Sequence, residues 1–117
     1  MSDRVVRLTK MEELDEAVGS SSDRPVFIYK HSTVCPVSAS AAGHYHDFAE
    51  EDSSSPPPLF TQVQVIENRD LSNEIESRLE VRHESPQLLL LRDGKVDWHA
   101  SHFSITGKAI ASALEDW

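Results

Sequence analysis

Apolar residues fall along this chain in short blocks, some repeating every second position and others at about 3.6 residues, with Gly, Pro, Ser or Asp between them. Residues 5–8, Val-Val-Arg-Leu, predict a short strand. Thr9-Lys10-Met11-Glu12 has the form of a capping box, and Met11, Leu14 and Val18 then share one helical face until Gly19 and three serines end it. The unbroken run Pro25-Val26-Phe27-Ile28-Tyr29 predicts a strand covered on both faces, hence a central one. Pro36 suits a first helical position, and Val37, Ala41, Tyr45 and Phe48 continue from it at helical spacing. Residues 50–58 are polar and proline-rich, a surface loop. In residues 59–66, Thr61, Val63 and Val65 alternate with Gln62 and Gln64, which predicts a strand with one face more exposed. Asn68 is placed to cap a helix with Leu71, Ile75 and Leu79 as its stripe. Residues 87–91 and 96–100 predict two strands joined by a tight turn at Arg92-Asp93-Gly94-Lys95. Thr106 caps the last helix, with Ile105 and Ile110 as a hydrophobic staple and Leu114 and Trp117 on its inner face. Phe27, Tyr45, Phe48, Trp98 and the leucine run are expected in the core.

The predicted order is βαβαβαββα. The βαβ crossovers demand parallel pairing and the late hairpin adds antiparallel strands, so the sheet is mixed, with helices on both faces. This is the order of the thioredoxin fold, an α/β class. At 117 residues the chain makes one domain, 1–117, able to bury a core without a metal or disulfide. A net charge of −9 and a pI near 5.0 argue against a nucleic-acid partner. The polar first residues and the shortness of the longest apolar run, Leu88-Leu89-Leu90-Leu91, predict no secretory signal and no membrane partner, hence a cytoplasmic location.

Against that frame the single cysteine, Cys35, stands out by position: it lies between the central strand and the next helix. Unpaired backbone N–H groups and the helix dipole favour a thiolate there. Its tetrad, Cys35-Pro36-Val37-Ser38, has serine where the redox spacing C-x-x-C has a second thiol, so no internal disulfide can form. In open α/β sheets, chemistry gathers beyond the carboxyl ends of the strands, which is where Cys35 falls.

Two segments, His31-Ser32-Thr33-Val34-Cys35-Pro36-Val37-Ser38 and Val81-Arg82-His83-Glu84-Ser85-Pro86-Gln87, together resemble the monothiol bacilliredoxins of the YtxJ type, a thioredoxin-like family. The resemblance extends over essentially the whole chain. It implies that Cys35 is the nucleophile, that Pro86 is the cis-proline facing it, and that the activity is removal of bacillithiol from mixed disulfides on other proteins. The Ser/Pro insertion at 53–58 and the acidic surface depart from the family pattern.

On this reading Cys35 attacks the bacillithiol sulfur of a bacillithiolated client protein, and an external low-molecular-weight thiol resets it. Bacillithiol is then a thiol co-substrate, and no tightly bound cofactor is expected. Ser38 either donates a hydrogen bond to the thiolate or is a solvated helical serine. Ser85 can offer its backbone to an extended client, and Ser32 and Thr33 can bind polar groups of the incoming thiol. His31 can stabilise the thiolate when protonated or relay protons when neutral. Lys30 can lower the thiol pKa, though a solvated strand-end lysine is the commoner case. His44 and His46 face different directions on a helix, so no metal site is expected, and Pro36 and Val37 depart from the C-G-F-S of cluster-binding monothiol glutaredoxins. Two other classes remain open: a thiol-sensing or client-binding module, with an ordinary Cys35 thiol and a stable adduct, and a scaffold, with a buried and inert one.

Overall fold

The computed structural model describes residues 2–117. Five strands form one sheet in the order β1-β3-β2-β4-β5: β1 Val5–Arg7, β2 Val26–His31, β3 Leu59–Gln64, β4 Gln87–Arg92 and β5 Lys95–Ser101. β3 runs parallel to both β1 and β2, while β4 is antiparallel to β2 and β5. The helices are α1 Met11–Ser20, α2 Pro36–Glu51, α3 Arg69–Leu79 and α4 Gly107–Glu115. The element order is that predicted, with one addition, a 3-10 turn at His102–Ser104 between β5 and α4.

Alternation along β2 divides the core in two. Val26 and Ile28 join Leu14 and Ala17 of α1 and Leu71, Ile75 and Leu79 of α3 on one face of the sheet. Phe27 and Tyr29 join Ala41, Tyr45 and Ala49 of α2 and Ile110 and Ala113 of α4 on the other. With both faces covered and a strand on each side, β2 is the centre of the molecule.

Local chemistry explains the boundaries. Thr106 Oγ1 accepts a hydrogen bond from Ala109 N at 3.2 Å, and Ile105 and Ile110 are both buried beside that cap. The β4–β5 turn places Asp93 at φ +52° and Gly94 at +77°, the two left-handed positions that a tight hairpin turn requires. The start of α1 lies one residue later than the sequence pattern implied. Lys10 is at the cap position, and the carboxylate reaching back is that of Glu13, whose Oε1 accepts from Thr9 N at 2.8 Å and Lys10 N at 3.0 Å. Asn68 occupies the cap of α3 without using its side chain.

The largest departure concerns β3. Its glutamines were expected on the more exposed face, yet Gln62 and Gln64 are 2% and 5% exposed. β3 lies between β1 and β2, so α2 covers the face that those glutamines share with Phe60. They are satisfied there by a polar chain. Ser2 N donates to His46 Nδ1 at 3.0 Å, which leaves His46 Nε2 to donate to Gln62 Oε1 at 2.7 Å, and Gln62 Nε2 donates to Gln64 Oε1 at 2.7 Å.

Candidate active site

The sheet register assembles the site at one end of the molecule. β2 ends at His31, and the following loop delivers Cys35 to the cap position of α2, with Pro36 as the first helical residue. β4 runs antiparallel to β2, with Lys30 opposite Gln87, so the residues just before β4 return to the carboxyl end of β2. Two segments about fifty residues apart in sequence thereby share one sheet end. The Ser85–Pro86 peptide bond is cis, and Pro86 O accepts from His102 N at 3.0 Å.

Cys35 is partly exposed. The neutral thiol makes no cap hydrogen bond. Its surroundings nonetheless favour the thiolate: the Ser38 backbone N–H lowers the Cys35 pKa most, burial opposes it, and the Val37 N–H and Ser38 hydroxyl lower it further. Ser38 itself is fully buried, so the reading of a solvated helical serine does not hold. Its Oγ also accepts from Ser32 N at 3.3 Å, which ties the loop before the thiol to the helix after it. A Ser38→Ala variant is therefore expected to ionise Cys35 at higher pH than the native chain, seen as an upward displacement of the pH–rate curve for alkylation by iodoacetamide. An unchanged curve would remove the hydroxyl from the account.

Tyr29 and His31 lie two apart on β2 and so face the same side, toward α2. The Tyr29 hydroxyl donates to Ser38 O at 2.9 Å and lies 3.1 Å from His31 Nδ1. Its one proton is committed to Ser38, so His31 Nδ1–H donates to the tyrosine oxygen and Nε2 keeps a lone pair. Burial lowers the His31 pKa, with His46 and Arg7 adding to the effect and Glu67 opposing it. Of the two roles expected for His31, the neutral one is favoured at pH 7. The sequence pattern places Tyr29 only in a strand covered on both faces, and its i, i+2 spacing from His31 was the signal for its part in the site.

The remaining candidates divide. Thr33 is exposed in the loop, beside Val34 at 77% exposure. Ser32 is only 7% exposed, and its backbone is engaged: its carbonyl accepts from Cys35 N at 3.4 Å. Ser85 is partly buried, with a hydroxyl that has no hydrogen-bond partner among the described residues. Lys30 is not solvated; it is completely buried and shares the sheet face of Val26 and Ile28. Phe103, 77% exposed, stands in the 3-10 turn that packs against α2.

A thioredoxin fold whose single thiol caps the second helix, with serine at the fourth position of the tetrad and a cis-proline at the same sheet end, defines a thioredoxin-like protein of monothiol type. Solved structures agree on the fold. A candidate oxidoreductase with a thioredoxin fold is 28% identical, with a TM-score of 0.81 over 93% of this chain and 92% of that one. Thioredoxin from Malassezia sympodialis matches at 13% identity and TM-score 0.77, covering 96% of this chain and 89% of its own. Mitochondrial thioredoxin 3 from Saccharomyces cerevisiae matches at 18% and 0.73, covering 97% and 95%. The family model described as Monothiol bacilliredoxin BrxC matches residues 6–110, and the chain belongs to that family. Family and fold together support a thiol oxidoreductase-like role.

Proposed function

We propose that this protein is a cytoplasmic monothiol thiol–disulfide oxidoreductase that takes bacillithiol from mixed disulfides on client proteins and is reset by an external low-molecular-weight thiol. The observation that carries the reading is the state of Cys35: a partly exposed thiol whose ionised form is favoured by the Ser38 N–H, with no second thiol to which it can pass an adduct. A scaffold requires a buried thiol and a sensor an unperturbed one, so both fit less well.

In the first step the Cys35 thiolate attacks the bacillithiol sulfur. The client–bacillithiol S–S bond breaks, a Cys35–bacillithiol S–S bond forms, and the client cysteine leaves as a thiolate that takes a proton from solvent. In the second step an external thiolate attacks the adduct at the bacillithiol sulfur, and Cys35 leaves as the restored thiolate. Disulfide passes between partners with no net oxidation. The Ser38 donors stabilise Cys35 as nucleophile in the first step and as leaving group in the second. His31 Nε2 has the lone pair to take the proton of the incoming thiol. The Ser85 backbone receives the client as an added extended segment, and exposed Thr33 lies on the loop that the small thiol meets.

The test mixes reduced protein with a peptide carrying a bacillithiol mixed disulfide, beside the glutathione analogue and a Cys35→Ser variant, and follows intact masses with time. Bacillithiol mass should appear on the native chain as peptide thiol is released, more slowly with glutathione, and not at all on the variant. Ready alkylation of Cys35 without any transfer would overturn the reading in favour of a sensor.

A further inference from the structure

A buried phenol needs a partner for its hydroxyl, and wholly buried Tyr29 has two. On one side lies the Ser38 carbonyl, in the first turn of α2, at 2.9 Å; on the other lies His31 Nδ1, at 3.1 Å. Ser38 is the residue whose N–H and hydroxyl favour the Cys35 thiolate, and His31 is the last residue of β2. One oxygen atom thus ties the imidazole to the turn that follows the thiol. The Tyr29 ring is packed in turn, its centroid 5.1 Å from Tyr45 and 5.6 Å from His31. Burial raises its pKa, with the Ser38 hydrogen bond opposing and the charge of Cys35 adding, so the hydroxyl keeps its proton at neutral pH.

These contacts decide where the His31 proton sits. A carbonyl only accepts, so the phenol proton goes to Ser38 O and the tyrosine oxygen offers the imidazole a lone pair. Nδ1 then carries a hydrogen both in the neutral ring and in the imidazolium. Nε2 can therefore gain and lose a proton while the bond from Nδ1–H to Tyr29 persists in both states. Had the phenol donated to Nδ1, protonation of that nitrogen would have set two donors against each other.

We propose that Tyr29 is a positioning residue for the resetting step: its hydroxyl holds His31 as the Nδ1–H tautomer, anchored to the first turn of α2, so that Nε2 is the nitrogen that takes the proton of the incoming thiol. This rests on the exchange reading above and adds to it the residue that sets its base. The incoming thiol gives its S–H proton to Nε2, its sulfur attacks the bacillithiol sulfur of the adduct, Cys35 leaves as a thiolate, and the imidazolium returns the proton to solvent. The titratable and charged groups around the His31 ring are His46 of α2, Arg7 of β1 and Glu67 of the β3–α3 connection. Burial, His46 and Arg7 favour the neutral ring and Glu67 opposes them, so the free base is the resting form at pH 7.

The experiment has two readings. In nitrogen NMR of the reduced protein, with His31 identified by the ring signals lost in His31→Gln, the native ring should carry its proton on Nδ1. Tyr29→Phe, which keeps the aromatic ring and removes only the oxygen, should change that tautomer. In the second reading the Cys35–bacillithiol adduct is reset by free cysteine and timed by intact mass, from below to above about 8.5, the ordinary thiol pKa. Below it, where the incoming thiol is mostly protonated, Tyr29→Phe should be about tenfold slower than the native chain, the size expected when a reacting group is slightly misplaced. Above it the thiol ionises unaided and the two chains should converge, whereas a packing defect would persist at every pH. In a His31→Gln background Tyr29→Phe should add nothing further, because it acts through that ring. A native His31 with its proton on Nε2, or a Tyr29→Phe curve parallel to the native one throughout, overturns the proposal. A native chain that alkylates at Cys35 yet takes up no bacillithiol overturns the exchange reading, a distinguishable result because the tautomer is read with no thiol present.

Discussion

A Lys30→Met variant is expected to be more stable than the native chain at about pH 7, by about 3 kcal/mol, with the difference vanishing in alkali. The reason is the burial of an ammonium group without a hydrogen-bond partner. Its pKa falls from 10.5 to about 8 despite Glu76 and Glu84, and that drop of about 2.5 pH units at about 1.36 kcal/mol each gives the size of the effect. The direction follows from proton counting. Between the folded and unfolded values the unfolded chain binds more protons, so native stability rises with pH through that window. The penalty is complete below about 8 and gone above 10.5. Methionine keeps the apolar stem and carries no charge, and replacement of a buried ion by a well-packed apolar residue is commonly stabilising. Urea titrations at about pH 7 and about pH 10 check this through linkage. Equal midpoints for native and variant at neutral pH would mean that the ammonium is fully compensated where it lies.

Tyr45→Ala is expected to have the opposite and largest effect on the fold, a loss of about 3–5 kcal/mol. Tyr45 is wholly buried, with ring centroids 6.4 Å from Phe27, 5.1 Å from Tyr29 and 5.9 Å from Phe60. Its hydroxyl donates to Thr61 O at 2.8 Å, so truncation opens a cavity and also strands a buried carbonyl. In a domain of this size the thermal midpoint should fall by about 10–20 °C. Tyr45→Phe, which removes only the hydrogen bond, should cost about 1 kcal/mol. A loss on alanine no larger than that on phenylalanine would show that the cluster closes over the gap. The same residue matters to the site, because the Tyr29 ring against which it packs is the one whose hydroxyl holds the first turn of α2.

The regular elements were legible because each rests on local pattern. The β2 run, the hairpin turn and the Thr106 cap all take their form from neighbours a few residues away. The placement of Cys35 was legible for the same reason, as strand, loop and Pro36 are contiguous. What escaped depends on contacts distant in sequence. Gln62 and Gln64 read as half-exposed because alternation cannot reveal that β1 will lie on the outer side of β3 and α2 above it, with His46 supplying a partner. Lys30 read as solvated because a strand-end lysine normally reaches water, and nothing nearby in sequence announces the segment that returns across it from residue 82 onward. Glu13 in place of Glu12 is a difference of one residue between two adjacent acids, which only the backbone angle at Lys10 decides.

The serine at position 38 carries a consequence for mass action. A C-x-x-C pair closing its own disulfide liberates two small thiols per small disulfide consumed, so its oxidised fraction varies with the square of the thiol concentration and shifts when the whole pool is diluted. A chain whose one thiol is Cys35 can exchange only one for one: adduct plus small thiol gives free Cys35 plus small disulfide. Its ratio of adducted to free protein at equilibrium is proportional to the ratio of small disulfide to small thiol, each to the first power. On the proposed exchange, growth or dilution of the pool at constant ratio leaves the adducted fraction where it was, set by the composition of the pool and not by its size.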